Sequence, residues 1–239
     1  MRPIVTTFCL LAAPTATGLA QGSPIRSYRA SWADIAAVTV SGTTALLPVL
    51  LNLPKGAPSC APCPASDLPG IDRWVVGTDS RLARGGSNVL LLGVGGFVTY
   101  AAVHDRSASE ARGNIAMLAN SISWTSAATQ WLKVAVHRKR PVLYTAAAVG
   151  AATAPSNQQS LPSGHTSVAF AVATSYLVMA NREHLPHRTR NTILLYGGAT
   201  SIGALRVAGG SHFPTDVLTG AALGAGIGWL VAAVHPKVP

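Results

Sequence analysis

Carboxylates are scarce in this chain. Of its 239 residues, 8 are Asp or Glu against 18 Lys or Arg, for a formal net charge of +10. From Lys133 onward the only acids are Glu183 and Asp216. A two-metal hydrolase needs several carboxylate or histidine ligands around one site, so this stretch cannot supply them and no divalent metal is expected. Cysteine is also thin: Cys9, Cys60 and Cys63. Two of them cannot close a zinc site, and Cys60-x-x-Cys63 lacks the strand–helix–strand setting of a redox motif. In the proline-rich stretch 54–69 this pair is expected to form a local disulfide in an exported loop. Charged residues make up only 11% of the chain and apolar ones 49%, a greasy balance for a soluble protein. The positive charge is not carried on a basic helix interleaved with aromatics, so nucleic acid is not an expected partner. Neither an internal repeat nor a long low-complexity linker is present, and the length suits one domain.

Apolar segments do recur, at 34–53, 88–103, 114–133, 142–154, 165–181, 191–208 and 216–235. Several approach the ~20 residues that cross a bilayer, though Gly, Ala, Ser and Thr make them mild. Segment 142–154 is too short to cross and predicts an irregular or short helical connection. The charged stretch 104–113 predicts a turn. The fold class that follows is all-α: a single helical bundle of about six main helices, membrane-embedded, with its working face built from helix ends and loops. Residues 1–20 carry Arg2, an apolar run from Ile4 and Gly18-Leu19-Ala20. They form a signal peptide, the favoured reading, or an N-terminal membrane segment. The helical domain then occupies 21–239. Gly220, Gly224 and Gly228 recur every four residues and predict a small-residue face for close helix packing. Asp72-Arg73-Trp74 reads as a local ion pair beside an interfacial indole, and His137 as a flank of the basic run. His104, His184, His187 and His235 read as interfacial or solvated.

Three patches carry chemistry. Lys133 is followed, after six intervening residues, by Arg140-Pro141 at the close of the basic run Arg138-Lys139-Arg140, and Lys133 and Arg140 can converge on one anion. Leu161-Pro162-Ser163-Gly164-His165-Thr166-Ser167 opens an apolar helical run whose free amides form an anion site. In Leu205–Asp216, Arg206 precedes His212, and Pro214 starts a helix with Asp216 in its first turn. Asp216 is then placed to accept a proton from one imidazole nitrogen of His212, leaving the other with its lone pair exposed. A buried histidine that merely caps a helix is the alternative for this stretch taken alone.

Lys-x6-Arg-Pro, Pro-Ser-Gly-His and Arg-x5-His-x3-Asp in this order resemble the signature of the type 2 phosphatidic-acid phosphatase superfamily. That superfamily includes lipid phosphate phosphatases, bacterial class A acid phosphatases and vanadium haloperoxidases. The resemblance implies that Lys133, Arg140 and Arg206 neutralise phosphoryl oxygens, with Ser163 and the Gly164 amide holding them. It implies that His212 attacks phosphorus, oriented by Asp216, and that His165 protonates the leaving oxygen and then activates water. One departure is Leu205, where the family usually has Ser; it removes one hydroxyl near the phosphate and none of the charges. The expected function is a metal-independent, cofactor-free phosphatase acting on phosphomonoesters or diphosphates, with a phosphorylated lipid favoured as substrate. The alternatives are a soluble periplasmic acid phosphatase, a vanadate-dependent haloperoxidase and a phosphotransferase on the same site.

The loop Arg182–Arg190 carries three arginines against one glutamate, which predicts a cytoplasmic position. The patches then face the periplasm across a bacterial-type inner membrane, the side on which Cys60 and Cys63 would oxidise. A cleaved signal conflicts with this, because counting crossings from an external residue 21 through 34–53 puts Lys133 inside. Retention of residues 1–20, a non-crossing 34–53 or a soluble periplasmic domain would each remove the conflict.

Overall fold

Serines and acids set where the helices begin. A computed structural model of the chain describes residues 28–236; the segment expected to be a signal, 1–20, lies outside them. The helices are α1 (Trp32–Leu50), α2 (Gly70–Arg73), α3 (Arg81–Val103), α4 (Ala108–Val136), α5 (Ala148–Ala151), α6 (Gly164–Arg182), α7 (Arg188–Ala208) and α8 (Pro214–Val234). Among the described residues there is no strand. At the start of α3, Ser80 Oγ accepts the Ala83 N–H at 3.2 Å. At the start of α4, Ser107 Oγ accepts the Glu110 N–H while the Glu110 carboxylate accepts the Ser107 N–H, a reciprocal cap. Pro214 opens α8, and the Asp216 carboxylate accepts the Phe213 N–H at 2.8 Å.

Six of these helices are long, as the apolar runs predict, and 142–154 holds only a short 3-10 turn and α5. Two boundaries differ. α3 starts at Arg81 rather than 88, because Arg84 is tied to Asp79 and donates to the Gly209 carbonyl at 2.8 Å. The predicted turn 104–113 shrinks to 104–107, since Glu110 caps α4 rather than joining a loop.

α6 is the centre, with α3, α4, α7 and α8 packed around it. Its residues Ala171 to Tyr176 are all buried. α8 comes closest, through the predicted glycine face: a Cβ on Gly224 would lie 2.0 Å from the Ser167 carbonyl oxygen, and one on Gly228 2.5 Å from that of Ala171. The outward surface is apolar, with Val89, Leu92, Ile193, Leu218 and Trp229 exposed. α1, α3 and α8 are long and apolar enough to cross a membrane. Burying such a surface in lipid would remove apolar area from water, and this exterior is consistent with a membrane-embedded bundle.

The long helices alternate in direction. One end of the bundle gathers the close of α4 and α7 and the start of α3, α6 and α8, together with loops 51–80 and 137–163. The other end holds both termini of the described chain, since the Arg29 N–H donates to the Pro236 carbonyl at 2.9 Å and Tyr28 Oη to that of Ala232. There Arg106 pairs with Glu183 at 2.6 Å, both side chains buried. His235 departs from expectation: it is buried at this end, with Nε2 3.2 Å from the Arg29 carbonyl, because Tyr28 and Asp34 close over it.

Candidate active site

His137 ends α4 in a left-handed conformation, φ 52°, its N–H donating to the Lys133 carbonyl. The reversal sends the next three cations apart. Arg138 runs to Asp216 (2.7 Å) and Asp72 (2.6 Å) and lies over the Phe213 ring. Lys139 reaches Ser59 Oγ at 2.8 Å. Only Arg140 enters the cavity, so the basic run does not act as one phosphate patch. Asp72 likewise pairs with Arg138 and not with its neighbour Arg73, which instead donates to the carbonyls of Ala65, Ser66 and Leu68.

The cavity, of about 330 Å³, is lined by Lys133, Arg140, Gly164, His165, Arg206 and His212, among others. The three patches therefore meet. No carboxylate is among the lining residues. Nε of Arg140 and Nε of Arg206 are buried and lack a hydrogen-bond partner among the described residues, as does Thr129 Oγ1 on the α4 wall. Burial pushes the Arg140 pKa down, yet a guanidinium keeps its charge. A Cβ on Gly164 would lie 3.6 Å from Lys133 Nζ, in ordinary van der Waals contact with the ammonium.

His212 is 2% exposed. Its Nδ1 stands 2.8 Å from the Ser160 carbonyl oxygen. A carbonyl only accepts, so Nδ1 carries the proton and Nε2 keeps its lone pair. Burial, with Arg140 and Lys133 adding to it and Asp216 opposing, holds the His212 pKa down to about 3; the ring is neutral at ordinary pH. The expected Asp216 contact is corrected here. Asp216 Oδ2 lies 3.6 Å from Nδ1, because the carboxylate is already taken by the Ser160 hydroxyl (2.5 Å), the Phe213 N–H (2.8 Å) and Arg138. Asp216 meets Ser160 at its hydroxyl, while the carbonyl of the same residue meets the imidazole.

Ser163 also stands differently from expectation. Its N–H donates to the Asp216 carbonyl at 2.9 Å, which turns the buried hydroxyl inward to accept from Thr166 Oγ1 at 3.0 Å; it is not among the cavity's lining. Gly164 and His165 do line it, and His165 Nε2 stands 2.7 Å from Asn88 Oδ1. Ser160 and Asn88 are contacts of the site residues that sequence reasoning passed over, and Asp72 was read as a partner of Arg73. Arg138 carried a partial signal, as a member of the basic run.

Residues 114–239, more than half of the chain, match the family model described as the PAP2 superfamily. The chain belongs to the PAP2 superfamily. No curated protein and no solved structure matches it. Membership in the PAP2 superfamily brings a phosphatase-type activity, hydrolysis of phosphoric esters in general. The match begins inside α4 and leaves α1 and α3 outside it. Among the described residues, no three His, Cys, Asp or Glu side chains cluster as a metal ion would require.

Proposed function

We propose that this PAP2 protein is a metal-independent phosphatase of phosphomonoesters or diphosphates, favouring lipid phosphates, that works through a phosphohistidine on His212 outside the cytoplasm. The observation that carries this is the pair of buried guanidinium nitrogens without partners, Arg140 Nε and Arg206 Nε, in a cavity that also holds Lys133 and His212. Unpaired buried cations are costly, and a tetrahedral oxyanion would satisfy them.

A phosphoryl group seated there meets three cations that disperse its charge as the transition state forms. The lone pair on His212 Nε2 attacks phosphorus, the bond to the leaving oxygen breaks, and that oxygen takes a proton from His165. His165 then removes a proton from water, whose oxygen attacks phosphorus while the P–N bond breaks, releasing phosphate and neutral His212. Asp216 and Ser160 hold the imidazole tautomer throughout.

The apolar exterior and the lining residues Leu91 and Val168 support a substrate with a hydrocarbon tail. Sidedness is supported by the disulfide between Cys60 and Cys63, Cα atoms 5.0 Å apart, in a loop on the catalytic end. With that end outside, Tyr28 lies inside, an arrangement that accords with retention of residues 1–20. A signal cleaved after Ala20 would leave Tyr28 outside and turn the site inward. The test is phosphate release from a panel of lipid and soluble phosphate esters, in chelator, by purified protein. Release from the lipid members is expected. Activity lost in chelator and restored by magnesium would contradict the metal-independent reading.

A further inference from the structure

α3 lies outside the segment that holds the three patches, yet it touches two of their working residues. Asn88 Oδ1 stands 2.7 Å from His165 Nε2, and Ser87 Oγ 3.3 Å from Arg206 Nη1. We propose that Ser87 and Asn88 form a fourth patch of positioning residues, Asn88 fixing the ring and tautomer of His165 and Ser87 steadying Arg206; this rests on the phosphatase reading above.

The docking of α3 makes these contacts specific. Arg84 anchors its first turn to the Gly209 carbonyl at 2.8 Å. A Cβ on Gly86 would lie 3.7 Å from Leu205 Cδ1, so Leu205 faces α3 at this turn. Leu205 offers Arg206 no hydroxyl from its own helix, and buried Ser87 brings one to it from the neighbouring helix. Ser87 Oγ donates to the Arg84 carbonyl at 2.7 Å, which leaves its lone pairs for the guanidinium.

For His165 the consequence is a proton assignment. An amide oxygen only accepts, so the proton on Nε2 stays in place and Nδ1 becomes the nitrogen that gains and loses one. The charged groups facing His165 are Lys133 from α4, Arg140 from the loop after it and Arg206 from α7, with titratable His212 from the loop before α8. Burial first, and then the three cations, oppose the imidazolium that a proton donor requires; His212, being neutral, does not. Asn88 is the neutral acceptor that favours it, without adding a negative charge that would repel the phosphoryl group.

The test uses full-length protein in detergent with isotope-labelled histidine, the His165 resonance being assigned through His165→Gln. NMR titration reports its pKa and tautomer alongside kcat against pH. Asn88 is exposed on α3, so Asn88→Leu and Asn88→Asp leave the packing intact. Asn88→Asp should raise the His165 titration by about one unit and move the alkaline limb of kcat the same way. Asn88→Leu should lower both, release the Nε2–H tautomer and cut kcat about tenfold, with KM within about twofold. Identical His165 titrations in all three proteins would overturn the proposal. Shifted titrations in a wild type that hydrolyses no phosphate ester would sink the phosphatase reading, and with it the catalytic meaning of this contact.

Discussion

Arginines are buried at both ends of this bundle, and the two ends treat them oppositely. At the end that carries the termini, Arg106 meets Glu183 at 2.6 Å and Arg182 donates to the carbonyls of Ala232 and Ala233. At the catalytic end, Arg140 and Arg206 each keep a buried nitrogen unpaired, with no acid on the cavity wall. The contrast recurs within two residues: Arg138 is saturated by Asp72 and Asp216, while Arg140 beyond it faces the cavity. A buried charge with its own counterion is architecture. One left with neither a counterion nor an acceptor at a buried nitrogen is the arrangement that a bound anion would complete.

The hardest break in this contrast is at His212, the proposed nucleophile. His212→Ala should lower kcat by at least about 10⁴-fold with the helical content unchanged, measured by phosphate release and circular dichroism. Next come the arginines, and here the two ends should separate. Arg140→Ala or Arg206→Ala should cost about 10²–10³ in kcat/KM. Neither should lower the thermal midpoint, since each removes a charge without a partner. Arg106→Ala should do the reverse: it strands Glu183, costs about 3–5 kcal/mol of stability, and leaves the turnover of the folded fraction intact. Equal effects on stability at both ends would erase the distinction.

Much of this was legible in the sequence, and the illegible part has a common cause. The six long helices follow from apolar runs of the right length, and the meeting of Lys133, Arg140, His165, Arg206 and His212 follows from patches placed at alternate helix ends. Direction within a run is another matter. Arg138 and Arg140 are the same residue type two positions apart, and the left-handed His137 and the acids it turns toward decide between them. Ser160 holds His212 through a backbone carbonyl, a group every residue owns and no motif records. Asn88 lies 77 residues from His165, and only the docking of α3 joins them. The start of α3 was hidden because Arg81 and Arg84 end the apolar pattern while the helix continues.

A smaller effect sharpens the role of Asp216. Asp216→Asn keeps the shape but cannot accept from Ser160, Phe213 and Arg138 together, so both kcat and the thermal midpoint should fall, kcat by roughly tenfold or more. Ser160→Ala removes only the hydroxyl and keeps the carbonyl that holds His212. Its loss should be a few-fold; an effect as large as that of Asp216→Asn would place the hydroxyl itself in the mechanism.

A last effect is on acid stability. His212 titrates at about 3 when folded, below its unfolded value of ~6.5. Between those values the unfolded chain takes up a proton that the native one refuses, so this group's contribution is complete above ~6.5 and is lost as pH falls toward 3. The thermal midpoint should drop across that window, and less so in His212→Asn.

Vanadate binding tests the central claim most directly, since the oxyanion can take the trigonal-bipyramidal form of the phosphoryl transition state and calorimetry in chelator reads it without turnover. One vanadate per chain should bind the wild type and Arg106→Ala alike, and binding should be lost in Arg140→Ala and Arg206→Ala. Equal binding by all four proteins, or binding that requires a divalent metal, would contradict the account.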